Sequence, residues 1–388
     1  MIRCSAFCVT FDRERARRAA SRASGIPRTR AGEPVRVDAG GAEVLVLPLE
    51  QGEGLPAVHG WLAPDPQDGE FSMLSKVGKS VTASRDLAGT RPLYVGESGA
   101  WISTDRRFFP DEDAVLLPPG SAYDAASGRT TAATWRAPRF KGGFEEASAI
   151  LARLVSGAVE ERVARRKRVA VAFSGGVDSS VLALCASKNC RVLACTVHSS
   201  GSRDSTAAKA AAETLGIELL DQEVDRKAVA RELSCIELPF DASPMDKSLW
   251  CIYSTASRAA ADQGAEVILL GQLADELFGG YAKYGRAVAD GGSGEAASMM
   301  EADLLNCGMR GFLRDEAACC RWLEPRFPFA DRRILSFAGG LPTEFKVRVG
   351  ERKAVLRAAA GLLGVPPDLS RAPKKAAQFS SGIQKLLP

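Results

Sequence analysis

The sequence predicts an α/β protein in two parts: an antiparallel, β-rich N-terminal domain over residues 1–138, then a doubly wound parallel sheet with a helical C-terminal part over residues 139–388. Three observations predict this. The chain has 388 residues, more than one hydrophobic core usually organises. Between about Pro34 and Trp135 apolar and polar residues alternate with the period of two that a half-buried strand requires. After Gly143, strand-like runs alternate with amphipathic helical ones, the pattern of a parallel sheet with helices on both faces.

In the first part the runs are "EVLVLPL", "FSMLSKVGKSVTASRD" and "RPLYVGESGAWISTD", with Gly78 and Glu97-Ser98-Gly99 as turns. A proline and glycine turn in "LLPPGSAYDAASG" leads to the last strand, and "WRAPRFKGG" reads as a linker. A helix over Phe144 to Arg166 follows, with Leu151, Leu154, Val155, Ala158, Val159 and Val163 on one face at three- and four-residue spacing. Next come strand Val169 to Phe173, a helix from Asp178, strand Arg191 to Val197, helix Asp204 to Leu215 and strand Ile217 to Gln222. Helix Lys247 to Gln263 and strand Glu266 to Leu270 complete the alternation, and the chain from Gly279 onward is helix-rich. The glycine-rich "ADGGSGEAAS", Ala289 to Ser298, reads as a surface loop, with an active-site lid as the alternative. No tandem repeat interrupts the chain.

Composition excludes several classes. Hydrophobic residues make up 46% and charged ones 25%, with no apolar run near the ~20 residues a membrane-spanning helix needs. The start, "MIRCSAFCVTFDRERARR", lacks the apolar core of a signal peptide, so a soluble cytoplasmic protein is expected. Ten cysteines contain no Cys-x-x-Cys pair, and His59 and His198 are the only imidazoles, which argues against structural zinc and for buried thiols. A net charge of +4 is too mild to indicate a nucleic-acid binder. The basic clusters Arg13 to Arg22 and Arg165 to Arg168 read as solvated, the second ending a helix where cations suit the dipole.

The segment "SGGVDSS", Ser174 to Ser180, is built like an anion cradle at a strand-to-helix turn. Gly175 and Gly176 let the backbone turn sharply with its amides pointing inward, and the helix that follows presents its positive end. Ser174, Ser179 and Ser180 add hydroxyl donors. Asp178 would repel a phosphate, so a divalent cation, best magnesium, is expected between them. The absence of a Gly-Lys-Ser/Thr ending sets the turn apart from the common triphosphate loop.

This turn resembles the pyrophosphate loop of the adenylating PP-loop ATPases. "GQLADELFGGY", Gly271 to Tyr281, is similar to the "GEGADELFGGY" signature of asparagine synthetases. "EPRFPFADRRI" (Glu324 to Ile334), "ERKAVLRAA" (Glu351 to Ala359) and "RAPKKAAQFSSG" (Arg371 to Gly382) agree with that family in the same order. The β-rich half resembles its Ntn-type glutaminase domain through "DGEFSM", "SRDLAGTRPLYV" and "LPPGSAYD", and the tail resembles the asparagine synthetase domain-containing branch.

The resemblance implies ATP and Mg2+ as cofactors. Ala172 and Val197 would lie near the adenosine, with Leu270 and Gly271 closing over it. Ser174, Gly175, Gly176, Asp178 and Ser179 would hold pyrophosphate, and Asp178 and Asp275 would bind the metal. Lys374 or Lys375 would stabilise the α-phosphate; one extra residue before Phe379 leaves the choice between them open. A small-molecule carboxylate, with aspartate the first candidate, would be adenylated and then attacked by ammonia or an amine. Neither a membrane nor a nucleic acid is an expected partner; a homodimer is compatible with the resemblance.

Two departures qualify this. Residue 2 is Ile2 where glutamine-using members carry a nucleophilic cysteine, Cys4 lies too far along, and the Arg-Gly-Pro-Asp and Asn-Gly-Glu-Ile-Tyr-Asn segments are missing between Arg13 and Val58. No glutaminase activity is therefore expected. Gln272 replaces a glutamate of the signature, and an amide cannot act as a base. A β-lactam-synthetase-like ring closure, a tRNA-modifying adenylating enzyme and an inactive ATP-binding scaffold stay open as alternatives.

Overall fold

The structure, a computed structural model, describes residues 2–10, 35–38, 43–48, 57–62, 68–77, 80–96, 101–109, 113–133, 137–371 and 381–388. The chain divides into two compact units: Met1–Thr134 with Gly308–Leu313, and Trp135–Cys307 with Arg314–Pro388.

The first unit holds an eleven-stranded sheet. Its strands are β1 Ile2–Thr10, β2 Val35–Asp38, β3 Glu43–Pro48, β4 Ala57–Leu62, β5 Gly69–Val77, β6 Ser80–Arg85, β7 Tyr94–Gly96, β8 Trp101–Ser103, β9 Ala114–Leu116, β10 Ser121–Asp124 and β11 Arg129–Ala132. The main order is β11-β10-β6-β5-β4-β1-β8-β7-β9, with β3 also on β1 and β2 on β3. Pairing is antiparallel as expected except between β1 and β4, where Ile2 to Cys4 run parallel to Ala57 to His59. Strand β6 alternates between half-buried and buried residues, and Val81 and Ala83 from it join Leu74, Leu93, Ile102 and Leu117 in the core. The expected turns at Gly78 and Glu97-Ser98-Gly99, and the basic cluster Arg13 to Arg22, lie outside the described residues.

The second unit is built on five parallel strands: β12 Arg168–Ala172, β13 Arg191–His198, β14 Glu218–Glu223, β15 Val267–Leu269 and β16 Glu324–Arg326, ordered β14-β13-β12-β15-β16. Strands β12, β13 and β15 are buried along nearly their whole length, which is why they read as apolar runs without alternation. The helices between them are α1 Phe144–Val163, α2 Val177–Ser187, α3 Arg203–Leu215, α4 Arg226–Leu233 and α5 Pro244–Asp262. The predicted antiparallel sheet and the predicted parallel sheet with its helices are therefore both present, one in each unit. Helix α1 stops at Val163 instead of Arg166 because Arg165 takes a left-handed φ of 62°. Its Arg162 forms a buried pair with Asp331, 3.1 Å away, at the N-terminus of the later helix Arg332–Gly340.

The sequence reading of Ala289 to Ser298 as a surface loop is corrected. Helices α6 Ala274–Phe278 and α7 Ala282–Ala289 are followed, after only Asp290 to Gly292, by α8 Ser293–Asn306. Gly291 supplies the left-handed turn at φ 85°, and Ala296 and Met300 bury the face of α8 against Tyr284. The glycines punctuate the helices; they do not dissolve them. Among the described residues no helix is long and apolar enough to cross a membrane.

Candidate active site

In the five-stranded sheet, the chain leaves β12 toward β13 on one side, whereas β15 and β16 extend the sheet on the other. The order reverses between β12 and β15, which are directly paired, Ala170 with Ile268 and Val171 with Leu269. Loops at the carboxyl ends of two such strands diverge and leave a crevice, the usual binding place of doubly wound sheets. Both motifs singled out in the sequence stand there: Ser174 to Gly176 after β12, and Leu270 to Leu273 after β15.

The first turn depends on its glycines. Gly175 has φ 71°, and a β-carbon there would lie 2.9 Å from the carbonyl oxygen of Ala207 in α3. Gly176 caps α2 without any side-chain hydrogen bond to the helix, so the first amides of α2 have no internal acceptor. Ser179 braces the turn, its hydroxyl donating to Gly176 O at 3.1 Å and accepting from the Ser174 amide at 3.3 Å. The Ser180 hydroxyl is buried and has no hydrogen-bond partner among the described residues. Ala172 ends β12 opposite Cys195 of β13, and Val197, two residues on, is buried at the same edge. Leu270 donates its amide to Arg326 O at 3.0 Å, and Gly271 faces Asp178, whose β-carbon would be 3.3 Å from an added one.

Two acids far apart in sequence meet in this crevice. Asp178, in the first turn of α2, and Asp275, in the first turn of α6, flank one ammonium: Lys353 Nζ is 2.5 Å from Asp178 Oδ2 and 2.8 Å from Asp275 Oδ1. The lysine side chain is 1% exposed and the two carboxylates about a fifth exposed, at 21% and 19%. Burial pulls the Lys353 ammonium below its ordinary value, and the Asp178 carboxylate pulls it back up. Lys353 follows the hairpin of β17 Val347–Arg348 and β18 Glu351–Arg352, at φ 60°, and caps helix α9 Ala354–Leu363. Gly280 closes the far side: a β-carbon on it would fall 1.6 Å from Asp275 Oδ1 and 2.4 Å from Lys353 Cε.

This donor set fits a hard divalent cation. Asp178 Oδ1 is buried and has no hydrogen-bond partner among the described residues, an oxygen left over for a ligand. Among the described residues no group of three or more His, Cys, Asp or Glu side chains is placed to hold a metal ion, so a cation here would complete its shell with phosphate or water oxygens.

Behind the pair lies a wall of neutral and acidic groups. Gln272 donates its amide to Cys307 Sγ at 3.2 Å, and burial beside Glu276 holds that thiol well above the usual range. Glu276 is buried, accepts from Tyr281 Oη at 2.5 Å, and is raised chiefly by burial. Leu273 takes φ 72°, a left-handed backbone where the "GEGADELFGGY" signature has glycine.

Every expected site residue among the described ones thus gathers at one crevice, while Lys374 and Lys375 lie outside the described residues. Sequence reasoning gave Lys353 no role. The available signal was its place in "ERKAVLRAA", a segment that resembles the family and to which no role was assigned.

Residues 151–304 and 289–386 match the model of the family described as asparagine synthase. A Methanocaldococcus jannaschii protein that bears the name asparagine synthetase 1, glutamine-hydrolyzing, is 28% identical over 278 residues, 63% of this chain and 51% of that one. The glutamine-hydrolyzing asparagine synthetase of Asparagus officinalis is 28% identical over 320 residues, 74% of this chain and 52% of its own. The chain spans about half the length of these relatives. Among solved structures, that of NMN synthetase from Francisella tularensis is similar over 62% of this chain and 79% of its own, at 15% identity and a TM-score of 0.35, a likeness that carries no argument.

Proposed function

The chain belongs to the asparagine synthase family, and on that premise we propose that it is an ATP-dependent, AMP-forming amide ligase. It would adenylate a small carboxylate, aspartate being the first candidate, and transfer the acyl group to ammonia or an amine. The observation that carries this reading is the convergence of Asp178 and Asp275 on one buried cation position beside the glycine turn.

Each part of the crevice has a task in that chemistry. A carboxylate oxygen attacks the α-phosphorus of ATP, the bond to the β,γ-diphosphate breaks, and pyrophosphate leaves with the electron pair. The amides of Gly175, Gly176 and the start of α2, with the hydroxyls of Ser174 and Ser179, face the leaving group and stabilise its charge. Among the described residues Lys353 is the ammonium that reaches both acids, and it lies within reach of an anion held there. Asp178 and Asp275 would hold Mg2+, which when bound neutralises phosphate charge. Ala172, Val197, Leu270 and Gly271 form the adenosine side. Ammonia or an amine then attacks the acyl carbon, AMP departs, and the nitrogen loses its extra proton. Gln272 cannot take that proton as a base, which leaves it the role of positioning the acceptor. Lys374 or Lys375 belongs to this reading as the second source of positive charge on the α-phosphate.

In the same reading, residues 139–388 form the adenylating domain and residues 1–138 a degenerate glutaminase-like domain without hydrolase activity. The missing glutamine-binding segments between Arg13 and Val58 support the second assignment. Pyrophosphate release with aspartate, then with a panel of carboxylates, tests the ligase. Release of glutamate from glutamine by the purified chain would refute the assignment of residues 1–138 as a domain without hydrolase activity.

A further inference from the structure

We propose that Lys353 is the resident counter-ion of the crevice: its ammonium holds the place between Asp178 and Asp275 and keeps a divalent cation out until a nucleotide brings the metal in. The inference rests on the adenylation reading of this crevice and adds an order of binding to it.

Lys353 is not a surface side chain that happens to reach inward. Its backbone is held in the left-handed region at φ 60°, an uncommon state for a side-chain-bearing residue that surrounding structure must enforce. The preceding residue, Arg352, donates to Gly280 O at 2.9 Å, so the turn that inserts the lysine is tied to the residues that follow the helix of Asp275. Gly280 leaves its Cε no spare room. The ammonium is therefore built into the site, more deeply buried than the two carboxylates it joins.

Its charge sets what can enter. Two carboxylates facing one position repel each other, and the cation between them offsets that repulsion. With the ammonium between them the cluster carries one net negative charge. A metal ion arriving alone would have to push the buried ammonium away from both of its carboxylate acceptors, or sit against it and be repelled. A triphosphate changes this balance. Its oxygens give Lys353 new acceptors and free both carboxylates, while Asp178 Oδ1 already stands without a hydrogen-bond partner among the described residues. The metal thus enters as its nucleotide complex.

The test is Mn2+ binding to the full chain, followed by the paramagnetic signal of free ion, with and without a non-hydrolysable ATP analogue. Wild type should bind Mn2+ at this pair at least tenfold more weakly alone than with the analogue. Lys353→Met should bind Mn2+ alone at least tenfold more tightly than wild type does, and Mn2+ alone should raise its unfolding temperature. Lys353→Arg, which keeps the charge, should behave as wild type. Equal Mn2+ affinity of wild type with and without the analogue, where calorimetry shows that the analogue is bound, overturns the proposal, as does a Lys353→Met protein that takes up no more Mn2+ than wild type. Should Lys353→Met fail to fold, the two wild-type titrations decide. Failure of the adenylation reading looks different: the analogue then does not bind, while the comparison of wild type with Lys353→Met in Mn2+ alone still supports or overturns the counter-ion.

Discussion

Asp275 and Gly280 are packed so closely that a β-carbon on residue 280 would lie 1.6 Å from Asp275 Oδ1. Gly280 is thus a steric condition for the ion cluster, since the same β-carbon would meet Lys353 Cε at 2.4 Å. Gly280→Ala should therefore break the contact between Asp275 and Lys353. Loss of one partner from a buried pair costs about 3–5 kcal/mol, so denaturant unfolding should show a loss of that order. Pyrophosphate formation should fall at least ~100-fold, the usual effect of removing one charge-stabilising contact.

Gly175 is constrained twice, by φ 71° and by the carbonyl oxygen of Ala207, which would stand 2.9 Å from a β-carbon at that position. Gly175→Ala should cost roughly 1–2 kcal/mol from the left-handed backbone alone, before any shift of α3. Gly176 has an ordinary φ of −79°, and the nearest atom to an added β-carbon is the Ser174 hydroxyl at 3.4 Å. Gly176→Ala should fold nearly as wild type. Nucleotide binding measured by calorimetry should be lost in the first variant and retained, within about tenfold (1.4 kcal/mol), in the second.

Asp315 is fully buried beside Arg314, 2.8 Å away, and burial pushes its carboxyl up to about 6. An acid raised on folding binds its proton more tightly in the native state than in the unfolded chain. Its contribution to stability is therefore full below the unfolded value near 4 and is lost as pH rises toward 6. Asp246 and Asp331 act in the opposite direction: against their burial, Ser243 and Arg314 hold the first low, and Arg333 with Arg162 the second. The difference between wild type and Asp315→Asn isolates the first effect. Relative to that variant, wild type should lose roughly 3 kcal/mol between pH 4 and pH 7, about two units at 1.36 kcal/mol each, measured by urea unfolding at both pH values.

Much of this is legible in the residues alone. Strands such as "RVAVA" and "RVLACTVH" announce a buried parallel sheet because both faces are covered, and the turn after Ala172 announces an anion site by composition. Helix Arg226–Leu233 was missed because it is short, half of its eight residues are charged, and only Val229 and Glu232 are buried. Strand Glu324–Arg326 was missed because "EPR" has neither period nor β-propensity; its place is set by pairing with β15. Lys353 could not be read at all from local pattern. A lysine 175 residues from Asp178 acquires meaning only when the hairpin before it and the loop of Gly280 are folded together.

The most direct test of the central proposal follows the atoms of the reaction. Aspartate labelled with 18O in its carboxylates, or the best carboxylate from the panel, is incubated with ATP, Mg2+ and ammonia, and the products are read by phosphorus NMR. AMP and pyrophosphate should appear together, one 18O should be found in the AMP phosphate, and Asp178→Asn should form neither. ADP with inorganic phosphate, or AMP free of label, would contradict the adenylating role of the crevice between β12 and β15.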